Sequence, residues 1–128
     1  MPIHSWRDIP KDYHGTYCDV KVITGDRLQL CLAEIWRPGE YVMHHHPHEQ
    51  FGYLLRGQLH MVVGDEERTI APGDVWHVPP NVEHGGQIVG DENIVFLDVF
   101  HPARQDLLDP DRNYGSPVGD QSRRSRHL

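Results

Sequence analysis

His44-His45-His46-Pro47-His48-Glu49-Gln50-Phe51-Gly52-Tyr53 is the stretch from which the fold can be read. It carries four histidines in five residues, at an internal position that excludes a purification tag. In extended backbone, side chains alternate between two faces. His44, His46, His48 and Gln50 then share one face, and His45 and Glu49 share the other. Neutral imidazole is the commonest protein ligand for divalent transition metals. The spacing therefore predicts a metal held by His44 and His46. A solvated polar run would not account for the apolar sequence that follows directly.

Outward from this stretch the chain reads as short strands and turns. Tyr17 to Thr24 is a predicted strand, ended by Gly25-Asp26. From Arg27 to Trp36, Leu28, Leu30, Leu32 and Trp36 share one face, which Glu34 interrupts. Gln29, Cys31 and Ile35 share the other. Tyr41 to His46 starts a strand whose ladder Pro47 breaks. Gln50 to Leu55 follows, then Leu59, Met61 and Val63 on an inward face, with a hairpin tip at residues 64–67. Arg68 to Ile70, Val75 to Val78, a stretch from His84 to Gly90, and the strongly apolar Ile94 to Phe100 complete the set. Strands this short, with turns every eight to twelve residues, indicate an all-β sandwich or barrel. Gln105 to Leu108 is expected to make one short turn.

With 128 residues and 38% hydrophobic content, the chain has the size and composition of one globular domain. The reading divides it into an N-terminal arm over 1–15, a barrel over 16–108 and a mobile tail over 109–128. A net charge of −7 argues against a nucleic-acid or anionic-membrane surface. Cys18 and Cys31 form neither a metal-type pair nor a disulfide framework. With no spanning-length apolar run and no signal pattern, a cytoplasmic protein is expected.

Two motifs at the right separation resemble the cupin superfamily. The first reads Gly39 … His44-x-His46-Pro47-His48-Glu49-Gln50-x6-Gly57, and the second Gly73-Asp74 … Pro79-Pro80-Asn81-Val82-Glu83-His84. The resemblance covers about residues 28–104. It implies a single-domain double-stranded β-helix, or jelly roll. It implies one divalent transition metal (Zn, Ni, Mn or Fe) on His44, His46, Gln50 and His84, and a homodimer. This chain departs from the motif in three places. Gln50 replaces the usual glutamate ligand, Asn81 stands where glycine is usual, and no asparagine follows His84. Asparagine is the other residue that visits left-handed backbone. A ligand set of imidazoles and one amide is neutral and leaves the metal its full charge. Such a centre suits an anionic or oxygen-rich small molecule and Lewis-acid chemistry more than dioxygen chemistry.

Phe96, Asp98 and Phe100 share a face, and Arg104 follows. A carboxylate between aromatics is desolvated and suited to proton transfer, and an arginine fork can hold a carboxylate. The spacing Asp98-x-Phe100-x-x-x-Arg104 resembles the small cupins of pectin and alginate breakdown. Those convert 4,5-unsaturated monouronates to the linear keto sugar acid. By that resemblance Asp98 moves the proton, Phe100 lines the pocket and Arg104 holds the uronate. His48 is expected to line the pocket, and Gly52 to mark a close ligand approach. An aromatic polyketide cyclase, an iron-dependent dioxygenase and a non-catalytic metal- or ligand-binding cupin are the alternatives.

Overall fold

The computed structural model describes residues 2–13 and 15–108. Ten strands follow in order: β1 (Asp12–Tyr13), β2 (Cys18–Thr24), β3 (Gln29–Ile35), β4 (Tyr41–His44), β5 (Glu49–Arg56), β6 (Gln58–Val63), β7 (Glu66–Ile70), β8 (Val75–Val78), β9 (His84–Val89) and β10 (Ile94–His101). One 3-10 turn, Trp6–Asp8, precedes them and another, Gln105–Leu108, follows. The strands form a six-stranded sheet in the order β1-β2-β3-β10-β5-β8 and a four-stranded sheet in the order β4-β9-β6-β7. Every pairing is antiparallel. One apolar cluster draws on the inner faces of both sheets, which makes the jelly roll a single packed body. Among the described residues, no helix is long and apolar enough to cross a membrane. The C-terminal tail expected over 109–128 lies outside the described residues.

The period-two pattern decides which side chains face the core. On β10, Ile94, Phe96, Asp98 and Phe100 are all fully buried, so the apolar alternation carries one carboxylate inward with it. On β3 the buried face is Gln29, Cys31, Ala33 and Ile35, not the leucine face. Leu30 and Leu32 are half-buried on the outer face, where Leu30, Ile23 and Trp6 line a common cavity beside the N-terminal arm. Glu34 also lies on the outer face, where its carboxylate accepts from Asn93 Nδ2 at 3.1 Å. The arm is tied to the body, because β1 pairs with β2 and Lys21 Nζ donates to the Trp6 carbonyl at 2.7 Å. Cys18 and Cys31 are buried and form no disulfide.

Three strand registers stack the inner face of the larger sheet into rows. Gln29, Phe100, Gln50 and Val78 lie side by side across β3, β10, β5 and β8. The next row is Cys31, Asp98, Gly52 and Trp76. The close approach at Gly52 is made by a side chain rather than a ligand. A Cβ there would stand 2.0 Å from Trp76 Cε2, so glycine is what lets the indole lie across β5. Gly52→Ala should therefore force a large buried ring to move. We expect a loss of about 1–3 kcal/mol, the usual size for overpacking a core. Urea unfolding should show it as a lower midpoint at unchanged slope.

Candidate metal centre

Three histidines reach one place by three local devices. His44 ends β4 and His84 begins β9, and the two are register partners across the smaller sheet. His46 sits in the link between β4 and β5, where Asn81 N–H donates to its carbonyl at 2.8 Å. Asn81 holds a positive φ of 66°, the left-handed conformation its side chain tolerates in place of glycine. The turn before β9 is thus tied to the link before β5. One ring nitrogen from each of His44, His46 and His84 lies within 4.8 Å of the others. The His44 and His84 ring centroids are 4.2 Å apart, and those of His46 and His84 4.9 Å.

Backbone carbonyls orient the rings. His44 Nδ1 lies 2.6 Å from the Val42 carbonyl, His84 Nδ1 2.9 Å from that of Val82, and His46 Nδ1 3.1 Å from that of His48. A carbonyl only accepts, so each Nδ1 carries the proton and each Nε2 presents a lone pair. Gln50 is fully buried, and its amide nitrogen donates to the Tyr41 hydroxyl at 3.0 Å. That bond turns Gln50 Oε1 toward His46 Nε2, 3.0 Å away. Two acceptors then face each other at hydrogen-bond distance, and His84 Nε2 is buried with no hydrogen-bond partner among the described residues. A cation drawn in among these donors relieves both conditions, so the residues fit a divalent metal.

Burial pushes the His46 and His84 pKa values down from 6.5 to about 4, and the charge of Arg104 adds to the effect on both. The rings are therefore neutral, the ligating form, at physiological pH. His48 is half-buried, and its ring stands edge-on to His46 with centroids 5.4 Å apart. It lies beside the three-histidine group rather than within it. His45 points away and meets Glu83 at 3.0 Å on the exposed side.

Phe100 and Gln50 are register partners, and the Phe100 ring is edge-on to His46 at 5.7 Å. Asp98, also fully buried, lies one row deeper. Arg104 is not a surface residue. It is 1% exposed, and its guanidinium carbon lies 4.9 Å from the Phe100 ring centroid. Its Nε and Nη2 donate to the two Asp106 carboxylate oxygens at 3.1 and 2.7 Å. Its backbone N–H donates to Gln29 Oε1, and its carbonyl accepts from Gln29 Nε2, each at 3.0 Å.

Sequence reasoning did not single out Tyr41, Gln29 or Asp106. Tyr41 begins β4 on an inward position, so alternation could have placed it beside the histidines. Gln29 left a signal in sharing a face with Cys31 and Ile35. Its bond to Arg104 spans 75 residues, and nothing local points to that. Asp106 is two residues beyond Arg104 in a turn with no readable period.

Residues 34–100 match the family model for the cupin domain. The chain belongs to the cupin family. Among cupins, it is 30% identical over 90 residues to the pectin degradation protein KdgF of Dickeya dadantii (strain 3937), covering 69% of this chain and 81% of that protein. An RmlC-like cupin from Shewanella frigidimarina NCIMB 400 matches with a TM-score of 0.75 at 23% identity, covering 84% of this chain and 96% of the other. KdgF from Halomonas sp. matches with a TM-score of 0.72 at 23% identity, covering 82% of this chain and 99% of the other. The two structural likenesses establish the cupin fold.

The lowered histidine pKa values make the metal-free protein acid-sensitive. Unfolded imidazoles take up protons below about 6.5, while folded His46 and His84 resist them down to about 4. The unfolded state binds more protons in that window, so stability present above pH 6.5 is lost as pH falls toward 4. Chelator-treated protein should unfold at lower temperature at pH 5 than at pH 7. His84→Ala should shrink that difference and sharply weaken metal binding, read by calorimetric titration.

Proposed function

We propose that this cupin is a metal-dependent enzyme that opens or isomerises a small acidic sugar such as a 4,5-unsaturated uronate. The observation that carries the reading is the burial of three kinds of group together. A neutral donor set of His44, His46, His84 and Gln50 lies beside a buried carboxylate, Asp98, and a buried cation, Arg104, stacked on Phe100. The match to a pectin degradation protein over most of its length supports the choice of sugar. A bound divalent metal would supply Lewis-acid polarisation of a substrate hydroxyl or carbonyl oxygen.

The remaining work falls to the chain. Arg104 holds the substrate carboxylate, and Phe100 forms the apolar wall against which the guanidinium and the sugar ring lie flat. Ring opening of such a hemiacetal is an isomerisation and needs no oxidant. The C1 hydroxyl loses its proton, the bond from C1 to the ring oxygen breaks, and C1 becomes an aldehyde. The ring oxygen becomes an enol on C5, and a proton added at C4 gives the ketone. Asp98 is the group that carries the proton between these positions. Tyr41 and the Gln50 amide fix one another, which holds the ligand oxygen in place. The row beneath the centre favours a small substrate over fused aromatic rings. There the Trp76 indole lies over Gly52, with Tyr41 and Phe96 packed against it at centroid distances of 6.4 and 5.8 Å.

The test is loss of the conjugated enol-ether absorbance when metal-replete protein is mixed with 4,5-unsaturated galacturonate. Turnover should vanish in His46→Ala together with bound metal. Asp98→Asn should lose at least about a hundred-fold in kcat, the usual worth of a general acid–base group, while keeping its metal. Unchanged turnover in Asp98→Asn would remove the role given to that carboxylate. No turnover by the wild-type protein would remove the uronate.

A further inference from the structure

Arg104 is a long side chain that must be held still to act as a clamp, because each free rotor costs entropy when a ligand orders it. Three restraints hold it. Gln29, itself buried, brackets the Arg104 backbone through both amide atoms and is anchored by Thr24 Oγ1 at 3.1 Å. The Phe100 ring lies under the guanidinium carbon at 4.9 Å and limits its position on that side. Asp106 takes the Nε–Nη2 edge with both carboxylate oxygens. Asp106 is half-buried, with its side chain 42% accessible, and its backbone is anchored. Its neighbour Leu107 is fully buried and plants the Gln105–Leu108 turn in the core. A guanidinium is planar, so fixing one edge and one face fixes the direction of the rest.

We infer that Asp106 is a positioning residue that orients the Arg104 fork for an incoming carboxylate. The inference rests on the reading of Arg104 as the carboxylate clamp and deepens it. Asp106 fills the Nε–Nη2 edge, one of the places where a carboxylate could bind the fork. It also neutralises much of the buried cation, so the site selects a monoanion by geometry rather than by a large excess of positive charge. The opposing possibility is that Asp106 occupies the seat the substrate needs and must be displaced.

The experiment compares Asp106→Asn, Asp106→Glu and Arg104→Gln on 4,5-unsaturated galacturonate, with metal-replete wild type as reference. Asp106→Asn should raise KM by roughly ten-fold or more, the worth of one charge-assisted contact, with kcat little changed. Asp106→Glu, which restores the charge on a longer arm, should fall between wild type and Asn. An unchanged or lowered KM in Asp106→Asn would overturn the inference, the lowered value identifying Asp106 as a competitor. If Arg104→Gln leaves KM unchanged, the clamp reading itself has failed instead. A second measurement needs no variant. In wild-type protein saturated with galacturonate, the Arg104 Nε–H resonance, if bonded to Asp106 as in the free protein, should persist. Its loss on binding would show Asp106 displaced and overturn the inference.

Discussion

The structure depends on bringing four lone pairs to one buried point without a hydrogen between them. Imidazoles do this only when a backbone carbonyl takes the other ring proton, and here three carbonyls do so, those of Val42, His48 and Val82. Two of the carbonyls belong to the residue two before the ring they hold, so the strand ends that present His44 and His84 also fix their tautomers. His46 instead bonds forward to His48, across the bend that Pro47 imposes. The Gln50 amide completes the set because the Tyr41 hydroxyl claims its N–H. Nothing in this set carries charge. A bound cation therefore keeps its full charge for a substrate oxygen, and the buried rings stay neutral because protonating them would strand charge in the interior.

Charge enters the site from one side, along β10 and the segment after it. The alternation that buries Phe96 and Phe100 also buries Asp98. Just beyond the strand, Arg104 turns back over Phe100 and is met by Asp106. Only the arginine of this pair is buried, and the Asp106 side chain stays 42% accessible to solvent.

The packing under the centre limits what can bind. Trp76 reaches across Gly52 because glycine has no side chain to stop it, and Tyr41 stacks on Phe96 with centroids 5.0 Å apart. These rings bind the two sheets together and close the barrel below the metal-binding row. The interior at this level is already filled by aromatic side chains, which leaves little room for a bulky group below the histidines.

The sequence by itself determined the fold class, the strands from β2 onward and the three histidines that come together. Those depend on period-two alternation, turn residues and motif spacing, all of which are local. It also placed Asp98 and Phe100 on one inward face, because that is a property of a single strand. It left undecided which face of β3 is buried, because Leu30 and Leu32 are as apolar as the residues opposite them. Only the tertiary structure, with the arm beside one face and the second sheet over the other, decided it. The same holds for Gly52, where the partner is an indole from an adjacent strand, and for Arg104. The amide that brackets its backbone comes from 75 residues earlier in the chain. Contacts of that kind depend on register between distant strands, and register is set when the two sheets close on a common core.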